Sequence, residues 1–121
     1  MNPETLRRLF WIASARKDIQ QMPEEVQDAF GYALYLAQTG GRHEQVKSLK
    51  GFGPGVLEVV EDSRGSTFRA VYTVRFETAV YVLHCFQKKS TQGIATPKMH
   101  LEVIKERLKV AETHAKRGRG D

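Results

Sequence analysis

Arg69, His84, Glu58 and Lys88 are the residues of this 121-residue chain best suited to phosphodiester chemistry. An arginine grips a phosphate through two parallel hydrogen bonds, which a lysine cannot do. A histidine titrates near neutrality and can pass a proton either way. A carboxylate such as Glu58 can take a proton, or orient Arg69 or His84. Lys88 and Lys89 close an apolar run and are followed by a Gly-containing loop and a Thr-Pro pair at 96–97. Breaking a phosphodiester by acid–base chemistry needs a base for the nucleophile, cations for the phosphate and an acid for the leaving oxygen. Plain structural roles stay open: a strand arginine paired with Glu58 or Glu61, a packing histidine, a solubilising lysine pair at a strand end.

The elements that must position these groups follow from periodicity. Phe10-Trp11-Ile12 suits a first strand, and Ser14 offers an N-cap for a short helix over Arg16 to Gln21. Pro23 suits the first turn of a second helix, with Glu24 and Glu25 at its positive end. Val26, Ala29, Phe30, Ala33, Leu34 and Ala37 give that helix one apolar stripe, and Gly40-Gly41 ends it. Arg42 to Pro54 reads as an exposed loop carrying Lys47 and Lys50. Strands are expected over Val56 to Glu61, Phe68 to Phe76 and Ala79 to Lys88, with turns at Ser63–Ser66 and Glu77-Thr78. Thr96 caps a last helix, Pro97 takes its first turn, and Leu101, Ile104, Leu108 and Ala111 form its buried stripe. The order is β-α-α-β-β-β-α. It predicts an α+β fold, with a helical hairpin and a C-terminal helix packed on one side of a mainly antiparallel four-stranded sheet. Residues 1–113 are expected as one domain and 114–121 as a basic disordered tail.

Strand parity can be carried through the two turns, because side chains alternate across a strand. Arg69 is then expected opposite Phe86, Val71 opposite His84 and Thr73 opposite Val82. Glu58 falls beside Val71 and Val60 beside Arg69. One face collects Phe68, Ala70, Tyr72, Val74, Tyr81, Leu83 and Cys85 and is expected to take the helices. The other collects Glu58, Arg69, Thr73, Arg75, His84, Phe86 and Lys88. Phe86 could stack on a base or simply pack.

Composition narrows the class. Apolar residues are 40% and charged residues 27%, ordinary for one globular domain. No apolar run is long enough to span a membrane and no leader pattern opens the chain, so a cytoplasmic protein is expected. The single cysteine, Cys85, excludes an internal disulfide. A net charge of +5 favours a polyanionic partner, whether RNA, DNA or an acidic protein. No CxxC, HExxH, Walker or dinucleotide-binding pattern occurs, so neither metal nor small-molecule cofactor is expected.

Lys47-Ser-Leu-Lys-Gly51, Val56-Leu-Glu-Val59, Phe68-Arg-Ala-Val-Tyr72 and Val82-Leu-His-Cys-Phe-Gln-Lys-Lys89, followed by Thr96-Pro97, resemble in order and spacing the RelE/ParE toxin superfamily. The likeness is to its HigB-like, phage-related branch. The resemblance implies a RelE-like fold and the toxin of a type II toxin–antitoxin module. It further implies a ribosome-dependent mRNA endoribonuclease working without metal, and a helix-turn-helix antitoxin as partner. It places Arg69, Lys88, His84 and Glu58 in the catalytic set, with Lys47, Lys50, Arg75, Phe86 and Lys89 toward RNA. Two positions depart from the pattern. Glu58-Val59-Val60 stands where many HigB-like members have Glu-Leu-Arg, and no tyrosine follows Tyr81 to match the C-terminal tyrosine of RelE. The same superfamily includes ParE-like gyrase inhibitors. A basic RNA-binding module without activity is the third reading.

Overall fold

The computed structural model describes residues 6–88 and 96–118. Eight elements follow in order: β1 Arg8–Trp11, α1 Ala15–Gln20, α2 Glu24–Gln38, β2 Val46–Ser48, β3 Val56–Ser63, β4 Ser66–Phe76, β5 Ala79–Lys88 and α3 Lys98–Gly118. The strands form one sheet in the order β1-β5-β4-β3-β2. Only β1 and β5 run parallel.

Local chemistry explains the boundaries. Helix α2 follows Pro23, whose ψ of 147° keeps it outside the helix. Gly40, at φ +87°, ends the helix. The Gly41 amide donates to the Leu36 carbonyl and the Gly40 amide to Ala37, the paired closure that a left-handed glycine allows. Arg64 and Gly65 both have positive φ, so β3 turns into β4 through a two-residue hairpin whose twist matches the strands.

The α+β class and the β3-β4-β5 meander agree with the sequence expectation. Five details differ. First, the helices cover both faces. Helices α1 and α2 pack Ile19, Val26, Phe30 and Leu34 against Leu57, Val59, Ala70, Tyr72 and Val82. On the opposite face α3 packs Ile104, Leu108 and Ala111 against Val56, Val71, Tyr81 and Leu83. The face expected to be polar is polar at one end only, and its apolar end needs a cover. Second, the sheet has a fifth strand: Val46–Ser48, inside the expected loop, pairs with Leu57–Val59.

Third, the register slips. Arg69 faces Phe86 and Val71 faces His84 as expected, but Tyr72, not Thr73, faces Val82. Leu83 is the extra residue of a bulge, which sends Tyr81 and Leu83 to the α3 face while Cys85 stays on the α1/α2 face. Fourth, α3 continues to Gly118, so residues 114–118 are helix rather than tail. Its last turn holds Lys116 and Arg117, which suit the negative end of a helix dipole. Fifth, the Pro97 carbonyl accepts the first α3 hydrogen bonds, so proline rather than Thr96 stands at the cap. Among the described residues no helix is long and apolar enough to cross a membrane.

Candidate functional site

Two rows of side chains cross the α3 face near the start of that helix. The first row reads Lys47, Glu58, Val71, His84 on β2, β3, β4 and β5, and the second reads Val60, Arg69, Phe86. Glu58 and Arg69 are diagonal neighbours. Arg69 Nη1 donates to both Glu58 carboxylate oxygens at 3.1 Å. It also donates to Thr96 Oγ1 at 3.2 Å, and the Thr96 hydroxyl donates on to Glu58 Oε2 at 2.9 Å. Thr96 has thus left the helix cap to close a triangle. Only 5% of Arg69 is exposed, so its charge is held in a desolvated setting where the pairing is strong.

A groove passes over this triangle. One part, about 430 Å³, is lined by Gln45, Lys47, Glu58, Val60 and Arg69. The adjoining part, about 360 Å³, is lined by Lys47, Lys50, Leu49, Glu58, Thr96 and Leu101. Lys47 and Glu58 belong to both. Lys47 and Lys50 are exposed. A polyanion lying in this groove would meet their ammonium groups at the rim, with the Arg69 guanidinium and the Glu58 carboxylate at the floor.

His84 belongs to a second cluster. Its Nε2 lies 2.8 Å from His100 Nδ1, and its Nδ1 lies 3.3 Å from Arg107 Nη1. Arg107 also donates to the Leu83 carbonyl at 3.0 Å, freed by the bulge, and to Ser14 Oγ at 3.1 Å. Ser14 Oγ donates to Asp18 at 2.7 Å. Burial first, then the nearby charges of Arg107 and His100, holds the His84 pKa down to about 4, although Asp18 opposes this. Burial lowers His100 as well. Both histidines are neutral at physiological pH, and both ring nitrogens of His84 are engaged.

The remaining expected site residues lie as follows. Phe86 is buried, its ring 4.8 Å from His84 and 3.9 Å from His100, so it packs against both histidines. Lys88 is 7% exposed at the end of β5, opposite Thr67. Arg75 sits at the other end of β4. It donates to the carbonyls of Pro54 and Phe52 and pairs with Glu112 at 3.6 Å. Gly55, at φ +85°, lets that loop approach: a Cβ there would lie 3.2 Å from the Arg75 Cα. Arg75 therefore pins a loop, away from the Glu58–Arg69 triangle. Lys89 lies outside the described residues. Cys85 is buried, and burial pushes its thiol up to about 12, so it is inert. Among the described residues no three His, Cys, Asp or Glu side chains are placed to hold a metal ion.

His100, Arg107 and the Thr96 side chain escaped the sequence reading. Their signal was present: His100, Ile104, Arg107, Ala111 and His114 recur at helical spacing and share the inward face of α3.

Comparisons with known proteins agree with this architecture. The family model described as "Phage derived protein Gp49-like (DUF891)" matches residues 17–109. A structure of the Escherichia coli toxin RelE, a double arginine-to-alanine mutant in the free state, superimposes with a TM-score of 0.56 at 21% identity. The match covers 86% of this chain and 96% of that one. No curated protein matches the sequence.

Proposed function

Starting from a chain that belongs to the phage-derived Gp49-like family and carries the RelE fold, we propose that it is the toxin of a type II toxin–antitoxin module and cleaves mRNA on the ribosome. The observation that carries this reading is the groove over Glu58 and Arg69, rimmed by Lys47 and Lys50. Glu58 accepts the 2′-OH proton; each carboxylate oxygen retains acceptor capacity beyond its bonds to Arg69 and Thr96. The 2′-oxygen attacks phosphorus, the bond to the 5′-oxygen breaks, and the leaving oxygen takes a proton from a neighbouring ammonium or water. Arg69 and Lys47 stabilise the charge that builds on the phosphate. Lys88, at the end of the same strand face, is the next cation in line. The basic groove also suits an acidic segment of a helix-turn-helix antitoxin, and the protein acts in the cytoplasm.

The test is induced expression in a bacterial host, with mapping of mRNA 5′ ends. Growth arrest with cuts inside reading frames, relieved by the neighbouring antitoxin gene, is the expected result. Arrest with intact mRNA and an SOS response would replace this reading with gyrase inhibition. Unimpaired growth at high soluble expression would remove the toxin assignment.

A further inference from the structure

We infer that His100 stands beside the groove as a fixed N–H donor to a phosphate oxygen of RNA, with Arg107 and His84 as the positioning residues that set it in that state. The inference rests on the function proposed above for the identity of its ligand.

The argument is one of hydrogen-bond direction. A guanidinium can only donate. At 3.3 Å from Arg107 Nη1, His84 Nδ1 must therefore accept. A neutral imidazole carries one proton, so that of His84 is on Nε2, and it is given to His100 Nδ1 across 2.8 Å. His100 Nδ1 is then an acceptor, and its own proton is on Nε2, on the far edge of the ring from His84. Charging His100 would set two protons against each other across a 2.8 Å contact. Charging His84 would set one against Arg107. Arg107 cannot turn aside, because the Leu83 carbonyl and Ser14 Oγ hold it, and the Ser14 hydroxyl proton is committed to Asp18. Arg107 and the His84–His100 contact thus favour one arrangement against the opposing charge of Asp18, and it ends in a proton on His100 Nε2.

The place of that donor matters. His100 is half-buried, and among the described residues nothing accepts from its Nε2. Its ring lies 3.9 Å from that of Phe86, which stands directly opposite Arg69. Four residues earlier on the same chain, Thr96 touches Arg69 and Glu58. His100 lines neither part of the groove itself; it flanks the part lined by Thr96 and Leu101, its ring against Phe86 of the Arg69 row. A neutral N–H suits a phosphodiester already facing a guanidinium and a lysine. It adds a directed hydrogen bond without demanding a change of protonation. The arrangement also removes His84 from proton transfer, since neither of its nitrogens is open.

Histidine ¹⁵N NMR from pH 6 to 8 tests the tautomers, and a short RNA with a 2′-deoxy block at the attacked nucleotide tests the ligand. The expected spectra show both His84 and His100 neutral and protonated at Nε2. Adding the blocked RNA should shift His100 Nε2 saturably, and His100→Ala should weaken its binding about tenfold. His100→Gln, which keeps an N–H, should recover part of the loss. In cleavage assays His100→Ala should lower the rate without altering the pH profile. His84→Phe should remove the donor to His100 Nδ1, so that the proton of His100 is no longer fixed on Nε2 in the spectra. A proton on His100 Nδ1 at pH 7, no shift on RNA addition, or loss of one limb of the profile in His100→Ala would each overturn the inference. If spectra and RNA titration come out as expected while the unaltered protein leaves ribosome-bound mRNA intact, the donor stands and the nuclease assignment falls.

Discussion

Arg69 and His84 sit on the same sheet face in adjacent rows, yet the chain satisfies them in opposite ways. Arg69 is paired mainly within the sheet by Glu58 on the next strand, with Thr96 closing the contact. His84 is held from the helical layers: His100 and Arg107 come down from α3, and Arg107 reaches on to Ser14 at the start of α1. The first cluster keeps charge and borders a groove rimmed by lysines. The second has expelled charge from its histidines and ties three elements together. Similar residue types thus divide into a charged centre suited to a phosphate and a polar clamp suited to holding α3 in place.

The largest effect should come from breaking the charged centre. Arg69→Ala leaves the Glu58 carboxylate with its main counter-charge gone in a desolvated site. We expect about 3–5 kcal/mol of lost stability in urea unfolding, together with loss of growth arrest. Arg69→Met combined with Glu58→Gln should regain much of the stability and none of the toxicity. An Arg69→Ala variant as stable as the unaltered protein would show that the pair is not desolvated as described.

Next comes the clamp. Arg107→Met removes three hydrogen bonds and leaves a buried carbonyl unmet, at a cost of about 2–4 kcal/mol by the same measurement. Arg107→Lys should recover part of it. A Met variant within about 0.5 kcal/mol would mean that packing alone holds α3 on the sheet.

The two clusters should also differ with pH. The His84 pKa falls from 6.5 in the unfolded chain to about 4 when folded. Below pH 6.5 the unfolded chain takes up a proton that the folded form refuses. This contribution is complete above that pH, declines as pH falls, and is lost by about pH 4. Its full size is about 3 kcal/mol. Comparing urea unfolding of His84→Gln with the unaltered protein at pH 7.5 and pH 5 should show a flatter dependence in the variant. Parallel curves would place the acid sensitivity elsewhere.

The smallest stability effect is expected at the rim. Lys47 is exposed, so Lys47→Ala should change stability by less than about 0.5 kcal/mol. Cleavage should nevertheless fall about tenfold at low salt, and less at high salt, where the lysine is screened in the unaltered protein too. An unchanged rate would move the RNA path off this groove.

The charged centre was legible in the sequence and the clamp was not, for physical reasons. Glu58 and Arg69 are linked by one tight turn at Arg64-Gly65, and alternation carries cleanly across it. Parity also placed His84 opposite Val71 and Phe86 opposite Arg69. It failed beyond Leu83, because a bulge between apolar residues leaves no glycine or proline to mark it. The clamp depends on which sheet face α3 returns to. Apolar periodicity showed that α3 has a buried stripe but not which face receives it. Judging the second face by its charges hid Val56 and Val71, and the bulge hid Leu83; these are the residues that α3 packs against. The strand Val46–Ser48 was missed because three residues between glycine-rich flanks carry too little alternation.

The separation along the chain between β5 and its clamp sets an order of assembly during synthesis. Arg107 is made 24 residues after Leu83, whose carbonyl it caps. Thr96 follows Arg69, its partner, by 27. A ribosome that has just completed β5 therefore presents a sheet whose arginine and histidine still lack the partners that follow it, Thr96 for one and His100 and Arg107 for the other. His100, the donor inferred for the groove, is also not yet made. The nascent protein cannot complete this site until the first turns of α3 have left the ribosome that is making it.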